Sequence, residues 1–178
     1  MNFTITARAS ISGGFFVFKE GYMKEIKLTQ GKVALVDDAD YEELSKHNWC
    51  ANKGRITFYA GRGVKIKGKH VTIPMHRVIM KTPKGMDTDH IDGNGLNNQR
   101  ENLRICTHAE NSINRGKCKS NTSGYKGVSW HGGGKKWLSK IRVKRKQINL
   151  GIFLTKEEAY KAYCEGAKKY HGEFSNVR

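Results

Sequence analysis

Short apolar runs separated by glycine-containing turns fill the first half of the chain. Their lengths are typical of β-strands rather than helices. A polar, acidic stretch at residues 38–47 predicts one short helix among them. The strand-like runs are residues 26–28, 33–36, 55–60 and 64–66, and the turn residues are Gln30-Gly31, Gly54, Gly61-Arg62-Gly63 and Gly68-Lys69. The pattern predicts a small antiparallel sheet within residues 23–74, which serves either as a scaffold or as a contact surface.

Polar residues dominate the middle of the chain, residues 75–114. Asp89-His90 ends an extended segment, a turn follows at residues 92–94, and residues 103–106 form a short returning strand. Thr107, with Glu110 three residues later, matches the sequence box that opens a helix. We therefore expect two strands, a loop, and a helix that carries Asn111. His76 is expected on a further strand that precedes this motif.

The last third of the chain predicts three strands and a helix. The strands are residues 125–130, 137–143 and 147–153, and Thr155 with Glu158 forms a second capping box. Alternation gives the sheet one apolar face and one basic or polar face. Ile148, Leu150 and Ile152 are assigned to the apolar face. The helix presents a stripe of small and aromatic residues to that face, namely Ala159, Ala162, Tyr163, Gly166, Ala167 and Tyr170.

Charge separates the same three regions. The chain of 178 residues carries 33 Lys plus Arg against 16 Asp plus Glu, a net charge of +17. Residues 1–74 hold +5 of this, residues 75–114 are neutral and residues 115–178 hold +12. Such an excess indicates a polyanionic partner, and nucleic acid is the commonest. A neutral centre between basic arms suits a metal site that must keep its acidic ligands.

Composition excludes several other classes. Apolar residues make up 37% of the chain, and no run approaches the roughly 20 apolar residues of a membrane span. Four cysteines without a Cys-x-x-Cys pair predict reduced thiols in a cytoplasm rather than a zinc ribbon. Residues 19–22 can be encoded by a purine-rich run resembling a ribosome-binding site. Residues 1–22 are therefore either a translated leader ahead of Met23 or an ordinary N-terminal strand.

The middle motif resembles the HNH nucleases, and most closely the phage and intron-encoded HNH homing endonucleases. Asp89-His90, Asn102-Leu103 after a polar loop, and Asn111 on a helix carry the resemblance. It implies a ββα-metal centre in which Asp89 and Asn111 bind the metal, His90 is the general base and Asn102 braces the loop and the histidine. Many HNH proteins have histidine at the position of Asn111.

The chemistry of these residue types agrees with the implied roles. Carboxylate and carboxamide oxygens are hard ligands that suit Mg²⁺ or Mn²⁺. Histidine titrates near neutral pH and can take a proton from water. Taken singly, Asp89 is also consistent with a turn residue, and His90 with a structural histidine. His76 and His108 stay open between a structural role and a place in the site.

Residues 123–176 resemble the DNA-binding domain of plant ethylene-response factors, which also occurs joined to HNH nucleases. Residues 125–128, Trp137, Ile141-Arg142, Leu150-Gly151, Phe153 and Thr155 are among those that carry it. The resemblance implies a sheet that enters the major groove of DNA. It assigns DNA contact to Lys126, His131, Lys136, Lys140, Arg142 and Asn149. Asn149 replaces a tryptophan of the plant pattern, so the plant target sequence does not transfer.

Together these features predict an α+β fold with a small N-terminal antiparallel sheet region, a ββα-metal HNH motif and a C-terminal three-stranded antiparallel sheet packed on one helix. The expected domains are a leader (1–22), a β-rich region (23–74), the HNH motif (75–114), a basic linker (115–122) and a DNA-binding domain (123–178).

The expected function is site-specific hydrolysis of double-stranded DNA by a homing-type endonuclease. We expect a monomer on DNA in the cytoplasm of a bacterial host, with a dimer as the alternative, and a phage or mobile-intron origin. Three other functions are alternatives. They are a non-catalytic DNA-binding regulator, an RNA-binding protein and a protein that compacts DNA without sequence preference. The sheet lacks the exposed aromatic pairs of common RNA-binding modules.

Overall fold

The computed structural model describes residues 8–12, 15–19, 23–118 and 120–177. The chain divides into two compact units between Thr107 and His108. Ahead of Met23, β1 (Arg8–Ser12) and β2 (Phe15–Lys19) pair as an antiparallel hairpin. The remaining residues of the expected leader lie outside the described residues, and the leader stays a prediction. No helix of the described residues is long and apolar enough to cross a membrane.

Small antiparallel sheets and short helices build the N-terminal unit. The elements from Met23 onward are β3 (Met23–Lys27), β4 (Val33–Asp37), α1 (Asp38–Ser45), β5 (Cys50–Lys53), β6 (Phe58–Ile66), β7 (Lys69–Pro74), α2 (Met75–Ile79), β8 (Asp87–His90) and β9 (Leu103–Cys106). Strands β3 and β4 pair, β5, β6 and β7 form a meander, and β8 pairs with β9. The predicted sheet region, the short helix and the strand pair of the middle motif are therefore confirmed.

Two local predictions are wrong. Strand β6 runs straight through Gly61-Arg62-Gly63, where the sequence predicts a turn, because β7 pairs with all three residues and β5 also pairs with Gly61. His76 lies in helix α2 and not on a strand, since Pro74 ends β7 and precedes the first helical residue. The predicted turn at Gly68 is confirmed, with positive φ at both Lys67 and Gly68.

One hydrophobic core joins these sheets and helices. Its buried side chains come from β3, β4, α1, β5, β6, α2 and β9. Trp49 fixes the end of α1, because its indole nitrogen donates a hydrogen bond of 2.7 Å to the Leu44 carbonyl. The core residues are Ile26, Leu28, Ala34, Val36, Leu44, Trp49, Ala51, Ala60, Met75, Ile79 and Leu103. The β-rich region and the middle motif thus share one core.

The C-terminal unit is the predicted three-stranded antiparallel sheet packed on one helix. Its elements are α3 (His108–Ile113), β10 (Val128–His131), β11 (Lys136–Val143), β12 (Lys146–Phe153) and α4 (Lys156–His171). The second capping box is present, with Thr155 and Glu158 exchanging side-chain-to-backbone hydrogen bonds of 3.2 Å. Ala159, Tyr163, Gly166 and Ala167 of the predicted stripe are buried, whereas Tyr170 is exposed.

A β-bulge changes which face Ile152 occupies. Ser139 pairs with Gly151 and Lys140 pairs with Asn149, so Leu150 is an extra residue on β12. Gly151 has φ +139, a conformation that favours glycine. The bulge leaves Leu150 against α4 but puts Ile152 opposite Leu138, where Ile152 is 49% exposed. The prediction of Ile152 on the apolar face is therefore wrong.

Candidate functional site

Asp89 is a buried carboxylate held by a cross-strand arginine. Asp89 on β8 lies directly opposite Arg104 on β9. Nε and Nη2 of Arg104 donate to Oδ2 of Asp89 at 3.0 and 2.7 Å. Asp89 is 6% exposed, so its charge would be costly without this partner. The ion pair fixes the position of the carboxylate and compensates its charge.

The ring of His90 lies in a cluster with two other rings. The centroid of His76 is 4.9 Å away in an edge-on arrangement, and that of Tyr59 is 5.7 Å away. Nε2 of His90 lies 3.5 Å from Oδ1 of Asn98, at the long limit of a hydrogen bond. Asn98 is fully buried, and its amide also donates to the Leu96 carbonyl. Strand β6, helix α2 and the loop after β8 therefore all contribute to the position of His90.

Burial keeps both histidines of this cluster neutral near pH 7. Burial lowers the pKa of His90 against the opposing effects of Asn98, Asp92 and Asp89. Burial, followed by the charges of His90 and Arg77, lowers the pKa of His76 to about 3. Nδ1 of His76 is buried without a hydrogen-bond partner among the described residues. A neutral imidazole retains a lone pair, which a proton acceptor needs.

Asn102 braces the loop that follows β8. Its Oδ1 accepts a hydrogen bond of 3.0 Å from the Asp92 backbone, and its amide donates to Asp92 Oδ1 at 2.9 Å and to the Asn97 carbonyl at 2.8 Å. Partial burial raises the pKa of Asp92, but hydrogen bonds from Asn94, Asn97 and Asn102 outweigh it and leave that pKa below its usual value. Asn102 therefore fixes the turn next to His90, and Asn98 supplies the amide that reaches the ring.

The same loop is tied to the β-rich region. Leu35 on β4 accepts a backbone hydrogen bond of 2.8 Å from Asn98 and donates one of 2.9 Å to Leu96. Arg100 forms a two-pronged ion pair with Asp40 of α1, at 2.7 and 2.6 Å. The β-rich region is therefore a scaffold for this loop, in line with one of the two roles expected for it.

Asn111 and His108, the remaining residues considered for the site, lie on α3 at the start of the C-terminal unit. In the same unit, Nζ of Lys126 donates a hydrogen bond of 2.7 Å to the Ile113 carbonyl at the end of α3. Burial lowers the pKa of Lys126 to about 8. This lysine, assigned to DNA contact from the sequence, therefore also caps a helix.

The other five residues assigned to DNA contact share one face of the C-terminal sheet. Strand pairing puts Lys136 opposite His131 and Lys140 opposite Asn149, and alternation along β11 adds Arg142. The opposite face packs on α4 through Ile141 and Val143, together with Ile148 and Leu150. The polar face that the sequence predicts, which includes Leu138, is therefore present, and the bulge adds Ile152 to it.

Sequence reasoning missed Tyr59, Asn98 and Arg104 as parts of the site. Asn98 lies in a polar loop, where the sequence does not distinguish it from its neighbours, but complete burial of its carboxamide marks a specific role. Tyr59 reaches the site from a distant strand, and nothing in the local pattern indicates that contact. Arg104 was placed on the returning strand. Pairing the two predicted strands from the loop outward would have put it opposite Asp89.

Comparison with known proteins identifies the family to which the middle motif belongs. Residues 75–113 match the family model for HNH endonuclease. Protein 3.8 of Escherichia phage T7 is 39% identical over 98 residues, covering 54% of this chain and 78% of that protein. An uncharacterized HNH endonuclease of Acanthamoeba polyphaga mimivirus is 29% identical over 158 residues, covering 82% of this chain and 74% of that protein. No solved structure matches. The chain belongs to the HNH endonuclease family, whose substrate is DNA and whose members generally use a divalent metal ion.

The donor chemistry fits such an ion. Within the described residues, no three His, Cys, Asp or Glu side chains come together as a metal site. A centre built from Asp89 and a carboxamide oxygen would use hard ligands suited to Mg²⁺ or Mn²⁺.

Proposed function

We propose that this protein is a metal-dependent, site-specific DNA endonuclease of the homing type, with His90 as its general base. The observation that carries the proposal is the position of His90. Its ring is buried, neutral and held among Tyr59, His76 and Asn98, and it follows Asp89 directly in the chain. Such a histidine can accept a proton at neutral pH, whereas a surface histidine is partly protonated there.

In the proposed reaction, His90 takes a proton from the water that attacks the phosphodiester. Asn98 orients the imidazole through Nε2, and Asn102 keeps the adjoining turn in place. Asp89 and Asn111 would hold the divalent metal, Mg²⁺ or Mn²⁺. When bound, the ion would offset negative charge on the phosphate and the leaving oxygen. Arg104 keeps the Asp89 carboxylate oriented. One such centre per chain implies that a monomer nicks one strand and that a dimer cuts both.

We also propose that the C-terminal unit binds double-stranded DNA as an ethylene-response-factor-like domain. Support comes from the three-stranded sheet on one helix and from its polar face. His131, Lys136, Lys140, Arg142 and Asn149 share that face, and Lys126 flanks it in the chain. The sheet would supply sequence recognition, while the basic side chains supply phosphate contacts.

A plasmid-nicking assay tests the catalytic proposal. Supercoiled plasmids carrying bacterial and phage DNA fragments are incubated with the full chain and Mg²⁺ or Mn²⁺, with EDTA as a control. We expect metal-dependent nicking that falls by about 10²–10⁴-fold in His90→Ala, the usual contribution of a general base. His47→Ala, which alters a histidine packed edge-on against Trp49, should retain full activity.

Tight and specific DNA binding without nicking in either metal would overturn the catalytic proposal in favour of a DNA-binding regulator. Equal nicking by wild type and His90→Ala would remove His90 as the base.

A further inference from the structure

The hairpin formed by β6 and β7 extends from the candidate site, and all of its charged side chains are basic. Residues 62–73, here called the basic hairpin, contain Arg62, Lys65, Lys67, Lys69 and His70 and no acidic residue. Nothing in the proposed reaction uses these side chains. Lys65, Lys67 and Lys69 are exposed, and none of the three makes an ion pair in the part of the chain that the structure describes.

The base of this hairpin touches the His90 cluster. Tyr59 lies near the start of β6, and His76 follows the last residue of β7 by two positions. Both rings contact the ring of His90. Strand register runs without a bulge from Gly61 opposite Pro74 to Ile66 opposite Lys69. The hairpin is therefore a regular two-stranded ribbon that is anchored at the site.

One face of the ribbon is open and polar. Lys65 lies opposite His70, and Gly63 lies opposite Thr72, so these four residues share a face without a large apolar side chain. A Cβ built on Gly63 would meet no described atom within 4 Å. On the other face, Ile66 is 50% exposed and Val71 is 42% exposed. In the described part of the chain, the outer half of the ribbon is thus uncovered.

We infer that the basic hairpin is a second DNA-binding element, which contacts the duplex beside the cleavage position. The inference rests on the proposed endonuclease function. A two-stranded ribbon fits the major groove of B-DNA, and its lysines can pair with phosphates on either wall. Single-stranded nucleic acid is a poorer fit, because residues 60–74 contain no Phe, Tyr or Trp on which bases could stack.

The length of the ribbon sets where it contacts the DNA. Lys67 at the tip lies six residue steps beyond Gly61 at the base, which corresponds to about 20 Å at about 3.3 Å per residue. This span covers about six base pairs. The hairpin would therefore contact phosphates up to about half a helical turn from the scissile bond, independently of the sheet in the C-terminal unit.

Charge-matched variants test the inference. The triple variant Lys65→Gln, Lys67→Gln, Lys69→Gln is compared with Lys27→Gln, Lys46→Gln, Lys53→Gln, which removes the same charge from exposed lysines of the same unit. Both are made in the full chain with His90→Ala, so that binding is measured without cleavage. The probe is a fluorescent mixed-sequence duplex of about 40 base pairs, four helical turns. Fluorescence anisotropy is recorded over a series of salt concentrations.

We expect the hairpin triple variant to lose about tenfold or more in affinity relative to the control, because up to three phosphate contacts disappear. The slope of log Kd against log salt should fall by about 2–3. A hydroxyl-radical footprint at a mapped cleavage site should shorten on one side only. Lys67→Asn alone, which suits the positive φ of that turn residue, should give a smaller loss in the same direction without disturbing the hairpin.

Equal binding and equal footprints for the hairpin and control variants would overturn the inference. Equal losses on a single-stranded probe and on the duplex would overturn the duplex assignment. The two triple variants are also made in a chain that keeps His90, and their nicking activity separates this result from failure of the proposed function. If the wild-type chain nicks DNA and the hairpin triple variant binds normally, only the hairpin inference fails.

Discussion

Neighbouring residues of the site differ sharply in what surrounds them. Asp89 is paired with Arg104 across two strands, whereas His90, the next residue, lies among two other rings and a buried amide. A carboxylate must stay charged to bind a cation, and a base must stay neutral to accept a proton. Arg104 holds the carboxylate in place through an ion pair, and burial favours the neutral form of the histidine.

Asn102→Ala should destabilise the N-terminal unit by about 2–4 kcal/mol. The carboxamide makes hydrogen bonds with Asp92 and Asn97, and its loss leaves the half-buried Asp92 backbone N–H without its acceptor. Urea denaturation followed by Trp49 fluorescence measures the effect. Asn52→Ala, at an exposed position of β5, is the control. An unchanged urea midpoint for Asn102→Ala would contradict the bracing role of this residue.

Local sequence predicts the elements well where alternation and caps agree. The strand pair around Asp89, the second capping box and the three-stranded sheet are examples. The errors arise where tertiary partners override local preference. Strand β6 continues through Gly61-Arg62-Gly63 because β7 pairs with all three residues, and the bulge at Leu150 shifts every later residue of β12 to the opposite face. Neither effect can be read from one strand alone.

The candidate site shows the same contrast between residues that local sequence identifies and residues that only tertiary packing brings together. The resemblance located Asp89, His90, Asn102 and Asn111 because they are close in sequence and in a fixed order. Tyr59 remained hidden because its contact with His90 depends on packing between sheets.

Gly127→Ala should destabilise the C-terminal unit by about 3 kcal/mol. Gly127 has φ +75, and a Cβ there would lie 2.0 Å from the Tyr163 ring and 2.8 Å from the Lys140 carbonyl. The variant must therefore strain the backbone and push α4 away from the sheet. Thermal unfolding followed by near-UV circular dichroism measures the loss. Gly133→Ala, with open space around its Cβ, should leave the melting temperature within error, and an equal shift in both variants would refute the packing explanation.

At the scale of the whole molecule, charge is distributed as the proposed function requires. The net charge of +17 resides in the segments before and after the middle motif, which is neutral. In the proposed function, the neutral motif keeps the carboxylates of the site, and the basic segments before and after it in the sequence would attract the phosphate backbone. Counterion release should therefore dominate the affinity for DNA.

Binding of duplex DNA by the full chain should weaken steeply with salt. If six to ten phosphates are contacted, affinity falls by about 10³–10⁵-fold between about 50 and 200 mM salt. Anisotropy titrations with His90→Ala protein give this dependence directly. A salt slope corresponding to one or two phosphates would contradict binding through the basic flanks. The positive charge of the chain would then have a role other than binding DNA phosphates.

The attachment of the 92–102 loop to its scaffold limits how such a gene can be rearranged during evolution. Part of the loop's hydrogen bonding ends on Leu35, Asp37 and Asp40, well outside the segment that matches the family. A recombination event that transferred only residues 75–113 would deliver a motif without these loop contacts and without the core residues that the β-rich region contributes. The smallest segment that could be transferred as a folded unit is therefore longer than residues 75–113, which match the family model. It has to include the β-rich region that precedes them.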